Sequence, residues 1–170
     1  AYGVDELIGK LPGKKIVWLM LPAGKATDAM IKKVLPLLSK GDILVDGAND
    51  FYKNAEKHDK WCKKYGVYFF DCGVSGGVLG LKNGYTIMVG GPKSQFKYVE
   101  PFVKALSAKG GYGYFGNVGA GHFVKSVHNI VEYVYLQGIA EGVELLKGFK
   151  QPIDIVKATS VWRPASVVNS

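Results

Sequence analysis

The chain has 170 residues, of which 48% are hydrophobic, and its 22 Lys and Arg residues against 14 Asp and Glu residues give a formal net charge of +8. This length and hydrophobic content are sufficient for one ordinary core and exclude a weakly hydrophobic, disordered chain. The positive charge comes almost entirely from lysines that are dispersed without interleaved aromatic residues, which indicates a general attraction to anionic ligands and argues against a nucleic-acid-binding surface.

The cysteines and the apolar segments indicate neither secretion nor a membrane. Cys62 and Cys72 do not form a C-x-x-C pair, so they predict neither a zinc site nor a redox motif. The sequence shows no signal peptide and no apolar run of about eighteen residues. We therefore expect a cytoplasmic protein with no membrane partner, no nucleic-acid partner and no metal.

The first half of the chain alternates between helices and short apolar runs. Each apolar run is continuous, which is typical of strands that are covered on both faces. The predicted strands are residues 16–21, 43–46 and 67–72, and the predicted helices are residues 1–11, 27–39 and 53–65. This order with short connections predicts an α/β fold with a doubly wound, mainly parallel sheet.

The second half of the chain predicts two more strands and ends in helices. A loop is predicted at 78–84, strands at 85–89 and 112–115, and helices at 94–107, 120–147 and 152–162. No strand pattern follows the long helix. We therefore expect residues 1–118 to form a sheet domain and residues 119–170 to form a long helix and the start of a helical domain.

Three turns of small residues follow the first three predicted strands. They are residues 21–24, 46–49 and 73–77. Each turn alone is as consistent with an ordinary tight turn as with a binding site. Because ligands bind at the carboxyl ends of the strands in such sheets, the three turns together predict a shared site.

The segment from Gly119 to Tyr133 has the highest density of reactive groups in the chain. On a helix that turns about 100° per residue, its polar groups share one face and its apolar groups lie opposite. The polar residues are Lys125, His128, Asn129, Glu132 and Tyr133, and the apolar residues are Phe123, Val127, Ile130, Val131 and Val134. We expect the apolar face to pack and the polar face to present reactive groups. A solvated surface helix is the competing interpretation, and Gly119 and Gly121 count against it because glycines let another backbone or a ligand approach closely.

A dinucleotide-binding glycine loop is missing from its usual position. Such a domain normally begins with a strand that leads into G-x-G-x-x-G. Residues 116–121 only imitate this spacing, and they lie far downstream. We therefore expect the first strand-helix-strand unit to be absent, together with the residue that distinguishes NAD from NADP.

Motifs along nearly the whole chain resemble decarboxylating 6-phosphogluconate dehydrogenase in its shorter bacterial and archaeal form, in the order of that family. They are Met20-Leu-Pro-Ala-Gly24, Asp46-Gly-Ala-Asn49, Gly73-Val-Ser-Gly-Gly77 and Gly119-Ala-Gly-His-Phe-Val-Lys125, continued by Val127-His-Asn129 and Glu132-Tyr133. A related 3-hydroxyacid dehydrogenase would share several of these residues, but His128 and Glu132 favour the phosphogluconate enzyme. The resemblance implies a Rossmann-like fold.

The resemblance also implies a role for each motif residue. Lys125 is the general base that takes the proton from the C3 hydroxyl of the substrate, and Glu132 is the acid that protonates C1 of the enediol that remains after CO2 has left. The base has to be neutral, which a lysine achieves when desolvation or a nearby cation lowers its pKa. The implied substrate-binding residues are Asn49, Ser75, Gly76, Gly77, His128, Asn129 and Tyr133, and the implied cofactor-binding residues are Leu21, Pro22, Ala23 and Asn49.

The implied reaction is the oxidative decarboxylation of 6-phosphogluconate with NAD or NADP, in a full-length homodimer or higher homo-oligomer. Because the glycine loop and a large helical domain of the family are missing, we expect little or no activity from this chain. Three alternatives remain: another 3-hydroxyacid dehydrogenase of the same superfamily, a non-catalytic sugar-phosphate-binding or assembly module, and a nucleic-acid-binding domain. The dispersal of the lysines argues against the last of these.

Overall fold

The computed structural model describes residues 1–167, so residues 168–170 of the predicted helical segment lie outside the described residues. The chain forms two compact units, Ala1–His128 and Asn129–Ser170. The first unit contains the whole sheet, and the second is helical where it is described. The division at residue 118 that the sequence indicates stays a prediction.

Five strands form one sheet in the first unit, and their spatial order follows their order in the chain. They are β1 (Ile16–Leu19), β2 (Ile43–Asp46), β3 (Tyr68–Ser75), β4 (Tyr85–Gly90) and β5 (Ser107–Gly116). All neighbouring pairs are parallel except β3 and β4, which are antiparallel. The predicted α/β fold with a mainly parallel sheet is confirmed.

Helices of the first unit cover both faces of the sheet, and further helices follow later in the chain. The α-helices of the described chain are α1 (Val4–Lys10), α2 (Lys25–Val34), α3 (Tyr52–Lys64), α4 (Gly80–Asn83), α5 (Phe96–Leu106), α6 (Ala120–Lys147) and α7 (Ile155–Trp162), with 3-10 turns at Leu35–Leu37, Gly77–Leu79 and Lys93–Gln95. The predicted bounds of α6 are confirmed. The predicted loop at 78–84 is wrong, because a 3-10 turn and α4 occupy most of it.

The hydrophobic core lies on both faces of β2. Leu44 packs with residues of α2 and α3 on one face. Ile43 and Val45 pack with residues of α5 on the other face. All three side chains are fully buried, and burying each one stabilises the fold by about 1.5–3 kcal/mol. This arrangement explains why the strand is a continuous apolar run, since neither of its faces meets water.

Candidate active site

A buried carboxylate on β3 holds the first turn of α6. Asp71 has no solvent exposure. Its Oδ1 accepts a hydrogen bond from the Gly119 N–H at 2.7 Å, and its Oδ2 accepts one from the His122 N–H at 2.8 Å. The first N–H groups of a helix have no partner within the helix, so Asp71 satisfies two of them from a strand about fifty residues away in the chain. Burial raises the pKa of Asp71, while nearby His122 and the two N–H donors oppose that rise.

Two glycines bring α6 into close contact with the sheet. A Cβ atom at Gly121 would lie only 2.4 Å from the backbone oxygen of Asp71 and 2.5 Å from that of Met88. A Cβ atom at Gly73 on β3 would lie 2.3 Å from the Cβ atom of Lys125. Of the two partners that the sequence allowed for Gly121, a backbone or a ligand, the structure shows a backbone.

Three of the predicted site residues meet at the end of β3. Lys125 is only 6% exposed, and its Nζ lies 3.3 Å from Nδ1 of His128. Nε2 of His128 lies 3.4 Å from Oγ of Ser75, the last residue of β3. In one tautomer of the imidazole, Nδ1 accepts from Lys125 while the Nε2–H donates to Ser75. The histidine therefore connects the lysine to the serine in a relay of polar contacts.

The orientation of the start of α6 is the reverse of the one that its sequence pattern predicts. Lys125 and His122 on α6 are buried, whereas Phe123 is 51% exposed and Val127 is 44% exposed. The contacts made by Asp71 and Gly73 determine which side faces the sheet, and neither contact is visible in helical periodicity. The reactive side therefore packs against the sheet, whereas Phe123 and Val127 on the apolar side keep about half of their surface exposed.

The turns after β1 and β2 leave the sheet at one edge. Leu19 pairs with Asp46 at the ends of these parallel strands, and the Gly47 N–H donates to the Leu19 oxygen at 2.8 Å. The predicted cofactor-binding residues follow these strands: Leu21 is half-buried, and Pro22, Ala23 and Asn49 are exposed. The structure therefore places them on an accessible edge, as a ligand contact requires.

The predicted turn at 73–77 begins later than expected. β3 continues to Ser75 because residues 71–75 pair with β4, so the prediction that the strand ends at residue 72 is wrong. Gly76 and Gly77 then adopt φ values of +141° and +50° and are exposed. Only glycine readily adopts such backbone, and the absence of side chains there leaves the backbone N–H groups accessible.

The remaining predicted residues lie further along α6. Asn129, Glu132 and Tyr133 belong to the second compact unit, and the Tyr133 side chain is 70% exposed. Their roles in catalysis and substrate binding stay predictions.

A buried histidine that the motifs do not indicate lies beneath the turn after β2. Nε2 of His58 on α3 lies 2.7 Å from Oδ1 of Asp28 on α2, and Nδ1 lies 3.3 Å from Oδ2 of Asp46. Burial lowers the pKa of His58, but Asp46 and Asp28 outweigh it, so the pKa is raised overall. One sequence signal was available: His58 falls between Ala55 and Cys62 at the i, i+3, i+7 spacing of the buried face of α3.

Comparison with known proteins identifies relatives along the whole chain. A model of the family described as the NAD binding domain of 6-phosphogluconate dehydrogenase matches residues 1–119. The chain is 36% identical, over its full length, to the NAD(+)-dependent, decarboxylating 6-phosphogluconate dehydrogenase of Haloferax volcanii, of which it covers 56%. The solved 6-phosphogluconate dehydrogenase of Plasmodium falciparum, studied with its cofactor NADP+ and its substrate 6-phosphogluconate, matches 91% of this chain at 36% identity with a TM-score of 0.78, and 33% of its own length is covered.

A further solved structure is similar to this chain in its fold alone. The 3-hydroxyisobutyrate dehydrogenase of Mycobacterium tuberculosis, with L-serine, matches 97% of this chain with a TM-score of 0.81 but only 24% identity, and the chain covers 55% of it. The chain thus spans between a third and just over half of the length of these proteins. Within residues 1–167, no helix combines the length and apolar character needed to cross a bilayer.

Proposed function

Because the chain belongs to the family of NAD-binding domains of 6-phosphogluconate dehydrogenase, we propose that it supplies the cofactor edge and the general base for oxidative decarboxylation of 6-phosphogluconate. The products are ribulose 5-phosphate and CO2, and NAD or NADP accepts the hydride. The relay from Ser75 through His128 to buried Lys125 is the observation that carries the proposal. The relatives of this chain are oxidoreductases, and their names describe them as NAD(+)-dependent or NADP(+)-dependent.

Lys125 is the residue that moves the first proton. Its amine takes the proton from the C3 hydroxyl of the sugar acid as hydride leaves C3. A buried amine is easier to hold uncharged than an exposed one, since burial disfavours the ammonium form, and Lys125 is 6% exposed. The C3 ketone that results accepts the electron pair of the C1–C2 bond, so C1 leaves as CO2 while the Lys125 ammonium stabilises the enolate oxygen on C3. Glu132 then protonates the former C2, which is C1 of the five-carbon enediol.

The end of β3 holds the substrate during these steps. The Ser75 hydroxyl and the accessible backbone N–H groups of Gly76 and Gly77 bind the carboxylate end. His128 orients both Ser75 and Lys125 through its two ring nitrogens. Asn129 and Tyr133 bind hydroxyl or phosphate groups in this proposal. No step requires a metal, because the C3 carbonyl accepts the electrons that CO2 leaves behind.

The residues present fit the nicotinamide side of a dinucleotide. Leu21, Pro22 and Ala23 provide a small, accessible turn at the carboxyl edge of the sheet, and the Thr27 hydroxyl fixes this turn by donating to the Pro22 oxygen at 2.9 Å. Exposed Asn49 follows the neighbouring strand and lies between nicotinamide and substrate in this proposal. When bound, NAD(P) supplies the hydride acceptor.

Titration calorimetry with 6-phosphogluconate tests the role of the lysine in the chain as it stands. We expect Lys125→Met to weaken binding about 2- to 10-fold, because a hydrogen bond between uncharged groups contributes about 0.5–1.5 kcal/mol. Lys104→Met is the matched control, since Lys104 is exposed on α5. Equal affinities of Lys125→Met and the unchanged chain would refute the proposal.

Two further measurements separate the competing functions. A stronger affinity for 3-hydroxyisobutyrate than for 6-phosphogluconate would favour another 3-hydroxyacid dehydrogenase, whose fold this chain shares. Absorbance of the reduced cofactor at 340 nm measures turnover, and we expect little or none from this chain because it covers only part of its relatives. Tight binding of the sugar phosphate without turnover is also what a non-catalytic module predicts, so the Lys125→Met comparison has to be repeated in a chain with full turnover.

A further inference from the structure

Three buried polar atoms without a hydrogen-bond partner converge beneath the turn that follows β2. They are Oδ2 of Asp46, Oδ2 of Asp50 and Nδ1 of His58. Each of them can bind a metal ion, and all lie within 4.8 Å of one another. Asp46 and His58 are fully buried side chains. Buried polar atoms are nearly always satisfied in folded proteins, so three unsatisfied atoms that face one another indicate a ligand between them.

In each aspartate, the other carboxylate oxygen already accepts hydrogen bonds from the protein. Oδ1 of Asp46 accepts from the Ala48 N–H at 3.0 Å. Oδ1 of Asp50 accepts from the Phe51 N–H at 2.7 Å and from the Asn54 amide at 2.8 Å. Each side chain is therefore held in place by one atom and leaves the other directed into the cluster.

The histidine has the partner arrangement that is common at metal sites. Its second nitrogen, Nε2, lies 2.7 Å from Oδ1 of Asp28, and the Lys57 ammonium holds the same carboxylate at 2.9–3.0 Å. A histidine that binds a metal usually donates its other ring N–H to a carboxylate, which orients the ring. Asp28 supplies that carboxylate here.

The distances suit one small divalent cation. Nδ1 of His58 lies 3.3 Å from Oδ2 of Asp46 without making a hydrogen bond. Two ligands of a tetrahedral zinc ion, with bonds of about 2.0–2.1 Å, are about 3.3 Å apart. The three ligand atoms all lie within 4.8 Å of one another, which exceeds the separation of about 3.3 Å around a tetrahedral ion, so Asp50 would move inward by about 1 Å when an ion binds.

We propose that Asp46, Asp50 and His58 bind one first-row divalent cation of the zinc or manganese type. One nitrogen and two carboxylate oxygens from the protein leave at least one position for water, and imidazole with carboxylates selects such ions over calcium. Asp46 and Asp50 flank the turn that carries Asn49, so the ion would fix both ends of that turn to α3. Its role is structural, and it is independent of the proposed reaction, which needs no metal.

Metal binding can be measured directly on the chain. After treatment with a chelator, the protein is titrated calorimetrically with Zn²⁺ or Mn²⁺, and the ion retained on dialysis is counted by mass spectrometry. We expect one ion per chain and a rise in Tm of about 5–10 °C when the ion is present at about 100 times its Kd. Cobalt substitution should give a visible spectrum without thiolate charge transfer, which excludes binding by Cys62.

The matched variants are Asp50→Asn and Glu56→Gln. An asparagine at position 50 keeps one oxygen to accept the hydrogen bonds that Oδ1 of Asp50 now accepts, so the variant is expected to fold. We expect it to bind the ion at least about 100-fold more weakly, since removing even an outer-shell partner commonly costs 10–100-fold. Glu56 is an exposed carboxylate on α3, the helix that carries His58, and its variant should bind like the unchanged chain.

Two results would overturn the proposal. The first is failure of the unchanged chain to retain Zn²⁺ or Mn²⁺ at micromolar concentrations, as expected if a doubly protonated His58 simply bridges Asp28 and Asp46. The second is equal affinity in Asp50→Asn and Glu56→Gln. Neither result bears on the proposed dehydrogenase function, which is tested by sugar-phosphate binding at Lys125.

Discussion

Replacing Asp71 with alanine should release the start of α6 from the sheet. The change removes the acceptor of two backbone N–H groups at 2.7 and 2.8 Å and leaves both without a partner in a buried region. A hydrogen bond to a charged group contributes about 1.5–3 kcal/mol, so two such bonds amount to about 3–6 kcal/mol. Relief from burying a carboxylate offsets part of this loss. We expect the free energy of unfolding to fall by about 2–4 kcal/mol.

Urea unfolding and amide hydrogen exchange together check this prediction. A loss of about 3 kcal/mol confined to one helix end raises exchange there about 100-fold, so the amides of residues 119–125 should lose protection. Asp42→Ala is the matched control, because Asp42 is also buried and accepts from two backbone N–H groups, both at 2.8 Å, but far from α6. We expect Asp42→Ala to lower the free energy of unfolding about as much as Asp71→Ala does, but without faster amide exchange in α6. A loss under about 1 kcal/mol for Asp71→Ala, or unchanged protection at 119–125, would refute the reasoning.

Three further predictions concern packing, thiol chemistry and capping. Gly121→Ala should destabilise the chain by about 3 kcal/mol through overpacking, since the new Cβ atom would lie 2.4 Å from a strand oxygen. Gly138→Ala should instead stabilise the chain by about 0.5–1 kcal/mol, because a Cβ atom there meets nothing within 4 Å. Equal effects of the two variants on urea unfolding would contradict this. Burial raises the pKa of Cys62 to about 12, so iodoacetamide at pH 8 should label Cys62 in the native chain about 1,000-fold more slowly than it labels an ordinary thiol. The labelling should become faster as the pH rises towards 12. Rapid labelling of native Cys62 at pH 8 would disprove this prediction. Asp154→Ala removes the side chain that accepts a backbone N–H at 2.9 Å in the first turn of α7 and should cost about 1 kcal/mol in thermal unfolding, which Asp154→Ser should largely restore.

Much of the sheet could be predicted from the sequence because its strands are buried on both faces. Residues 43–46 form a continuous apolar run that ends in an aspartate, and the observed β2 has the same bounds. The end of β3 could not be predicted in this way. Gly73 and Gly76 make the segment look like a turn, and only pairing with β4, which is antiparallel and follows later in the chain, extends the strand to Ser75.

The site was predictable where its contacts are local. His128 and Lys125 are three residues apart, a spacing that brings side chains together on any helix, and the structure shows them 3.3 Å apart. Ser75 is 53 residues from His128, so only the family motif placed it in the site. The buried side of α6 was mispredicted because the burial of Lys125 depends on such distant contacts.

The way in which β3 positions the start of α6 follows from two repeats: side chains alternate along the strand, and residues three or four apart share one side of the helix. Residues 71, 73 and 75 share one face of the strand, since side chains alternate. Asp71 binds the N–H groups at the beginning of α6, Gly73 makes room for the Cβ atom of Lys125, and Ser75 contacts His128. Successive residues of that strand face thus meet successive turns of the helix, in the same chain direction. A shift of β3 by one residue would turn all three contacts to the other face of the sheet, so the register between β3 and β4 determines the position of the proposed base as directly as α6 does.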